Sequence, residues 1–383
     1  MLVVSTVSST IYGFLLPYVR HYRKLGWQID GLAKGLLADV RISREFNQCY
    51  DATWSRGLRD LTTWGASIRQ IEEVVQNGRY DIIHVHTPIA SFVTRFALRN
   101  LRREVGSKVV YTAHGFHFHP RGSWWQNAIY RSVERLAGRW TDCLIVMNQI
   151  DFIAAQDFNI VPRDNLIHMP GIGLDLDEFS RCAFESEEIE SLRASIGLKP
   201  GDFAVLVTAE FNPGKRHKDV IESLLHLNDS RVKILMAGIG ATEARSKALA
   251  RTLGVDDRIL FLGFRRDMPA LFAASQATLL PSEREGLPRS LMEAMASGLP
   301  AIGANVRGIN DLLGEGCGLL VEVGDVRGYA EAIEQLLEDS ELGDAIAARA
   351  KEKIKGYSIQ VVIAMHDRLY EKLINKPLVD LLS

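Results

Sequence analysis

Cysteine is scarce. Only Cys49, Cys143, Cys182 and Cys317 occur in 383 residues, and no two stand at CxxC or other metal-ligand spacing. A disulfide framework and a cysteine-built metal site are thereby excluded, and a reduced, cytoplasmic chain is expected. Long hydrophobic runs are missing too: no apolar stretch approaches the ~18 residues that cross a bilayer. Met1 leads directly into LVVST without a basic flank or cleavage site, so neither an anchor nor a signal peptide is expected. No GxGxxG follows the first strand-like segment of either half, which argues against a dinucleotide-dependent dehydrogenase. Internal repeats, low-complexity tracts and heptads are absent as well.

What is present is a globular composition, 47% hydrophobic, in a chain too long for one ordinary core and suited to two domains. The net charge of −2 conceals an asymmetry. Residues 1–163 hold 20 Lys/Arg against 13 Asp/Glu (+7), and the remaining 220 hold 25 against 34 (−9). Short apolar runs alternate with longer amphipathic ones, the pattern of parallel sheets with crossover helices. Strands are predicted at residues 2–7, 28–33, 82–87, 109–113, 143–147 and 166–169, then at 204–209, 233–237, 259–262, 277–281, 301–304 and 318–321. Helices are predicted at 14–25, 62–76, 89–101, 125–139, 219–227, 242–253 and 327–337. The segment PGIGLDLDEF, residues 170–179, interrupts this rhythm and marks a junction between a domain of residues 1–172 and one of 173–357. Residues 358–383 have no strand of their own. They read as a final helix with Val361, Val362, Met365, Leu369 and Leu373 in a stripe, returning to the first domain.

One stretch organises the second domain. In LLPSEREGLPRSLMEAMASGLPAIGAN, residues 279–305, Glu285 stands in a loop and Glu293 in a helix expected to begin at Pro288. Free N–H groups at that helix start favour an anion, and Glu293 lies deep enough to accept hydrogen bonds from hydroxyls beyond it. Ordinary solvated acids at a helix start are the plain alternative. Upstream, residues 208–218 (TAEFNPGKRHK) set Lys215 and Arg216 after a Pro-Gly turn at the disfavoured end of a helix dipole, a place where a cation has reason to meet a ligand's phosphate. The first domain has two histidine groups at strand ends, His84 with His86, and His114 with His117 and His119. No carboxylate or cysteine joins them at ligand spacing, so no metal is expected. Ligands of parallel sheets bind beyond the carboxyl ends of strands, so His86 and His114 are the candidates to face a ligand.

These motifs, E-x7-E from Glu285 to Glu293, YTAHGFHF, PGIGLDLDEF, HVHTPIAS and LGFRRDMPALFAASQATLLPS, resemble the retaining glycosyltransferases of family four over nearly the whole chain. The flavour is that of bacterial capsular and exopolysaccharide enzymes. The resemblance implies an α/β GT-B fold: two Rossmann-like, doubly wound parallel-sheet domains facing across a cleft, the first for the acceptor and the second for a nucleotide-sugar donor, expected to be a UDP-sugar. It implies that Glu285 contacts the donor sugar, that Glu293 holds the ribose, and that Gly286 and Leu287 offer N–H groups to the diphosphate. His114 would sit by the sugar near the acceptor, Lys215 would stabilise the leaving diphosphate, and Gly263 and Phe264 would hold the base. Asn212 and Glu210 join the donor side, and His86 and Phe116 the acceptor side. Two positions depart from the pattern. Glu210 stands where many members have an arginine, with Arg216 as its possible replacement. Ser8 to Gly13 replaces a glycine-rich loop, so Ser9 and Thr10 would supply hydroxyl donors.

The implied reaction is transfer of a hexosyl or N-acetylhexosaminyl group, with retention and without a cofactor, to an undecaprenyl-diphosphate-linked saccharide. The enzyme would then be peripheral at the inner, anionic membrane face, with no nucleic-acid partner. Arg95, Arg99, Arg102 and Arg103, with Trp124 and Trp125 near Arg121 and Arg131, suit a lipid headgroup layer. A sugar-nucleotide epimerase on the same fold, or a non-catalytic nucleotide-sugar-binding partner subunit, are the competing readings.

Overall fold

A computed structural model describes residues 1–54, 64–118, 122–179 and 184–375. The expectations for Arg121, His119 and Cys182, and for a helix beginning at residue 62, lie outside those residues. The chain divides into two compact units, residues Met1–Gly173 with Ile359–Ser383, and Leu174–Ser358.

The first unit is built on seven parallel strands: β1 (Leu2–Val7), β2 (Asp30–Lys34), β3 (Cys49–Asp51), β4 (Ile82–His86), β5 (Lys108–Ala113), β6 (Cys143–Val146) and β7 (Leu166–His168), in the order β3-β2-β1-β4-β5-β6-β7. All five residues of β4 and all four of β6 are buried. Helices cover both faces of the sheet, so β6 reads as a continuous apolar run and β4 departs from one only at His84 and His86. β3 was not expected from the sequence. It is three residues long, lies at the edge and has no fully buried residue, so it leaves no hydrophobic signature. Chain order reverses beside β1, where β2 and β4 flank it. There the Thr87 hydroxyl bonds Thr6 twice, accepting from its N–H at 3.0 Å and pairing with its hydroxyl at 2.6 Å.

Two expectations for this unit are corrected. The stretch after β1 is no loop: Ser8–Thr10 is already helical and runs through a π turn at Ile11–Leu15 into the helix Leu16–Lys24. Ile11 and Leu15 are buried there, and this packing draws the backbone into helix. The stripe of the last helix, Ile359–Ile374, packs against the core at Val362, Met365, Leu369 and Leu373 and is corrected only at Val361. Val362, His366, Leu369 and Tyr370 are buried, whereas Val361 is 40% exposed. Two polar side chains therefore occupy its buried face, which an apolar pattern could not reveal. Gly173 has φ +71°, and a Cβ there would lie 2.7 Å from the Cα of Ile359, so only glycine allows this approach.

The second unit has β8 (Phe203–Thr208), β9 (Val232–Ala237), β10 (Ile259–Gly263), β11 (Ala277–Leu280), β12 (Ala301–Ala304) and β13 (Leu319–Val321), all parallel, in the order β10-β9-β8-β11-β12-β13. Ala204, Val205, Leu206 and Val207 at the centre are wholly inaccessible. Val205, Leu206 and Val207 each contribute roughly 1.5–3 kcal/mol by leaving water. Here the order reverses between β8 and β11, and the loops after these two strands carry the E-x7-E and lysine motifs. The 15-residue helix Ser340–Ile354, unassigned from sequence, packs Ile346, Ala350 and Ile354 inward.

Candidate functional site

In the second unit the switch point between β8 and β11 gathers the charged residues. β8 ends at Thr208, and Asn212 then caps a single 3₁₀ turn, Pro213–Lys215, by accepting from the Lys215 N–H at 3.2 Å. The Asn212 amide donates to the Glu210 carboxylate at 3.2 Å. Across the turn the Glu283 N–H donates to the Gly214 carbonyl at 2.9 Å, joining the loop after β8 to the loop after β11. Lys215 and Glu285, seventy positions apart, meet here with Nζ 2.5 Å from Oε1, both partly buried.

Arg216 takes another course. It adopts a left-handed conformation (φ 51°, ψ 37°) and forks onto Asp219, with Nε to Oδ2 at 2.6 Å and Nη2 to Oδ1 at 3.0 Å. The Asp219 bond and charge hold the guanidinium above its ordinary value. It is therefore engaged at the start of the helix His217–Ser223 and not turned towards Glu210. His217, read with the basic run, is buried against the Phe211 ring at a centroid distance of 4.1 Å. Burial lowers its imidazole to about 4, so it adds no positive charge at neutral pH.

The helix of the glutamate motif is Arg289–Ala296. Pro288, expected inside it, is the extended residue before it (φ −74°, ψ 116°). Glu293 is 9% exposed and accepts from Arg289 Nε at 2.8 Å. Burial raises its carboxyl above the ordinary value against the pull of Arg289. Gly286 and Leu287 lie half-buried in the preceding loop. Gly263 ends β10 at φ +64° and accepts from the Gly238 N–H at 2.8 Å. Phe264 beside it is 66% exposed, with the Arg266 guanidinium 6.0 Å from its ring centroid.

Sequence reasoning missed several parts of this site. Arg307 is buried and donates through Nε to the Glu285 carbonyl at 3.3 Å. Gly308, at φ +75°, lies so close that a Cβ would stand 2.2 Å from the Gly286 carbonyl oxygen. A glycine before a short helix was the available signal, but its role depends on a loop 22 residues earlier. Thr208 Oγ1 and Ser282 Oγ, at the ends of the two central strands, are enclosed and have no hydrogen-bond partner among the described residues. Enclosed hydroxyls of this kind are uncommon and point to a group that is brought by a ligand or water.

In the first unit His86 and His114 come together at the ends of β4 and β5, Nδ1 to Nε2 at 3.3 Å. His84 lies behind them, its ring nitrogens 2.6 Å from the Tyr370 hydroxyl and 2.7 Å from the Thr112 hydroxyl. Burial is the main cause that lowers all three imidazoles, His84 and His86 well below the ordinary value and His114 to about 4. They are neutral at physiological pH, able to donate or accept a hydrogen bond but not to act as cations. The Phe116 side chain is 1% exposed and stacks on Phe118, so its part in the site is to anchor the loop. Its N–H donates to the buried Asp151 carboxylate at 3.0 Å, a support for the His114 loop that the sequence did not disclose. Ser9 is exposed and Thr10 half-buried on the helical segment after β1. Among the described residues no group of three His, Cys, Asp or Glu is arranged to hold a metal ion.

The arginine stripe is turned inward only in part. Arg95 is 1% exposed, bonds Glu134 at 2.9 Å and lies over the Tyr111 ring. Arg102 bonds Asp142 at 2.6 Å, and Arg99 lies over Phe96. The ion pairs of Arg95 and Arg102 tie their helix to other elements, which corrects the reading of these two as lipid-facing; Arg99 is half-buried against its own helix and Arg103 is exposed.

Residues 188–353 match the family described as "Glycosyl transferases group 1", and residues 14–157 the "Glycosyl transferase 4-like domain". The chain is 32% identical over 348 residues to "Putative glycosyltransferase EpsD" of Bacillus subtilis (strain 168), covering 89% of this chain and 88% of that protein. It is 25% identical over 326 residues to the "UDP-Gal:alpha-D-GlcNAc-diphosphoundecaprenol alpha-1,3-galactosyltransferase" of Escherichia coli, covering 81% and 80%. In structure it is similar to Anabaena Alr3699/HepE, solved in complex with UDP-glucose, with a TM-score of 0.78 at 20% identity over 97% of this chain and 99% of that one.

Proposed function

The chain belongs to the group 1 glycosyltransferases, with the family-four-like first domain and the GT-B fold of the bacterial exopolysaccharide and capsule enzymes, and on that premise we propose a specific transfer. A hexosyl or N-acetylhexosaminyl group moves from a UDP-sugar to a lipid-linked saccharide, with retention of configuration, at the cytoplasmic face of an anionic membrane. The observation that carries this reading is the Lys215–Glu285 pair at the switch point of the second sheet, with Glu293 of the same motif buried in the helix that follows.

Each group has a task that its surroundings support. Negative charge grows on the diphosphate as its bond to the sugar breaks, and Lys215 is a mobile point charge placed to meet it. In the free protein that charge is shared with Glu285, so the arriving diphosphate competes for the ammonium and frees Glu285 to orient the sugar. The N–H groups of Gly286 and Leu287 and the start of the helix Arg289–Ala296 stabilise the same anion. Glu293 accepts from the ribose hydroxyls, and Gly263 and Phe264 take the base. A neutral His114 donates or accepts at the transferred sugar, held in register by His86. Glu210, bound to Asn212, supplies no phosphate contact in this reading. Electrostatic stabilisation comes from the protein's own groups, and no metal cofactor is part of the proposal.

The E. coli relative, whose name specifies a UDP-sugar donor and a diphosphoundecaprenol-linked acceptor, supports both substrate classes. Thermal stabilisation by a panel of nucleoside diphosphate sugars identifies the donor, since a ligand of the folded state raises its apparent stability. Transfer to a diphosphoundecaprenol-linked sugar, with the new anomeric centre assigned by NMR, then tests the reaction. Inversion at that centre would remove the stereochemical assignment. A new sugar nucleotide formed without acceptor would favour the epimerase, and binding without turnover the partner subunit.

A further inference from the structure

The first unit carries an apolar groove that none of the roles above uses. Trp64, Ile89, Phe92, Ile129, Tyr130 and Val133 line it, and it encloses about 620 Å³, inside the range of ~300–1,000 Å³ of small-molecule sites. Its inner end reaches Thr6 and Pro88. These residues sit at the carboxyl ends of β1 and β4, and Pro88 opens the 17-residue helix Pro88–Glu104 two positions after His86. The start of so long a helix favours an anion. Its outer end opens at Ile129, which is 55% exposed on the helix Trp124–Gly138. The outward side of that helix also carries Trp124, Trp125 and Leu136, which are 82%, 52% and 43% exposed, among the exposed polar residues Gln126, Ser132, Arg135 and Arg139. Exposed apolar surface of this kind marks a contact site.

We propose that this groove holds the isoprenoid segment of a polyprenyl-phosphate-linked acceptor, with the phosphate end towards the start of the helix Pro88–Glu104. The inference rests on the lipid-linked acceptor reading. An apolar channel with an anion-favouring inner end and an outer end among exposed tryptophans and arginines matches a ligand that is hydrocarbon along its length, charged at its head and anchored in a bilayer. The polar members of the lining are Thr6, His117, Tyr130 and Glu134, and the remaining wall is apolar, which suits hydrocarbon better than a peptide backbone. Glu134, which also lines the groove, is neutralised by Arg95.

The test is flotation of the full chain with three vesicle types: phosphatidylcholine alone, phosphatidylcholine with undecaprenyl phosphate, and phosphatidylcholine with phosphatidylglycerol at equal charge. The expected result is preferential binding to the undecaprenyl phosphate vesicles. Ile129→Asp lowers that affinity about tenfold, as loss of one buried aliphatic contact predicts, and leaves nucleotide binding unchanged. Val133→Trp, which blocks the groove by volume, reproduces the loss if Ile129→Asp folds poorly. Arg135→Glu weakens binding to the phosphatidylglycerol vesicles and retains the preference. Equal binding of the parent to both anionic vesicles, or an unaltered preference in both groove variants, overturns the assignment. If the parent shows no preference and transfers sugar to a lipid-free acceptor, the lipid-linked reading falls with it; transfer that needs the lipid, with groove variants unaffected, leaves that reading standing and removes only the groove.

Discussion

Acidification should unfold the first unit from within, through His366. This side chain is 6% exposed; its Nδ1 donates to the Val362 carbonyl at 2.9 Å, and its ring packs 5.0 Å from Tyr18 and 5.8 Å from His84. Burial lowers its imidazole from 6.5 to about 4. The unfolded chain then takes up a proton at higher pH than the folded one, so the contribution to stability is present above about pH 6.5 and is lost as pH falls towards 4. At pH 5 the unfolded imidazole is nearly all protonated and the folded one about one-tenth so, which removes roughly 2 kcal/mol relative to pH 7.5. His84, His86 and His114 shift in the same direction and add to the loss. The assay exploits composition: all six tryptophans lie between Trp27 and Trp140, inside the first unit, so their fluorescence in urea reports that unit alone. His366→Gln should flatten the pH dependence near pH 5 by about one proton, or ~1.4 kcal/mol per pH unit. Parallel curves for parent and variant, or stability that rises on acidification, would refute the reasoning.

Three substitutions test other parts. Lys215→Ala should lower turnover by ~10²–10³ with a much smaller change in donor affinity, as for loss of one group that stabilises transition-state charge; equal kinetics in parent and variant would remove Lys215 from the chemistry. Glu293→Ala should first weaken the donor, read as loss of thermal stabilisation by the nucleotide alone. Gly308→Ala forces a Cβ against the Gly286 carbonyl at a left-handed φ and should cost about 1–3 kcal/mol. It should also displace the Gly286–Leu287 loop, so calorimetry and nucleotide titration should both register it, and a variant identical in the two measurements would show that the loop tolerates the change.

Much of the architecture was legible because parallel strands covered on both faces must be apolar throughout. Runs such as residues 143–146 and 204–207 announced themselves, and Glu285, Glu293 and Lys215 stood out as candidates in the second unit. What escaped did so for local reasons. β3 is too short and too exposed to carry a pattern. The Ser8–Leu15 segment looks like a loop by residue type and is helical by packing. Arg95 and Arg102 look like a solvated charged face, yet each is matched to an acid about 40 positions away, Glu134 and Asp142.

By itself, then, the sequence determined the strand segments other than the short edge strand β3, and which residue types could meet a phosphorylated sugar, since these follow from periodicity and the chemistry of single side chains. Tertiary structure alone decided who partners whom. It joined Lys215 to Glu285, turned Arg216 onto Asp219, and set Tyr370 of the last helix against His84 across 286 positions. Such pairings are contacts between distant parts of the chain: burial and charge choose them once the sheets have formed, and no local pattern encodes them.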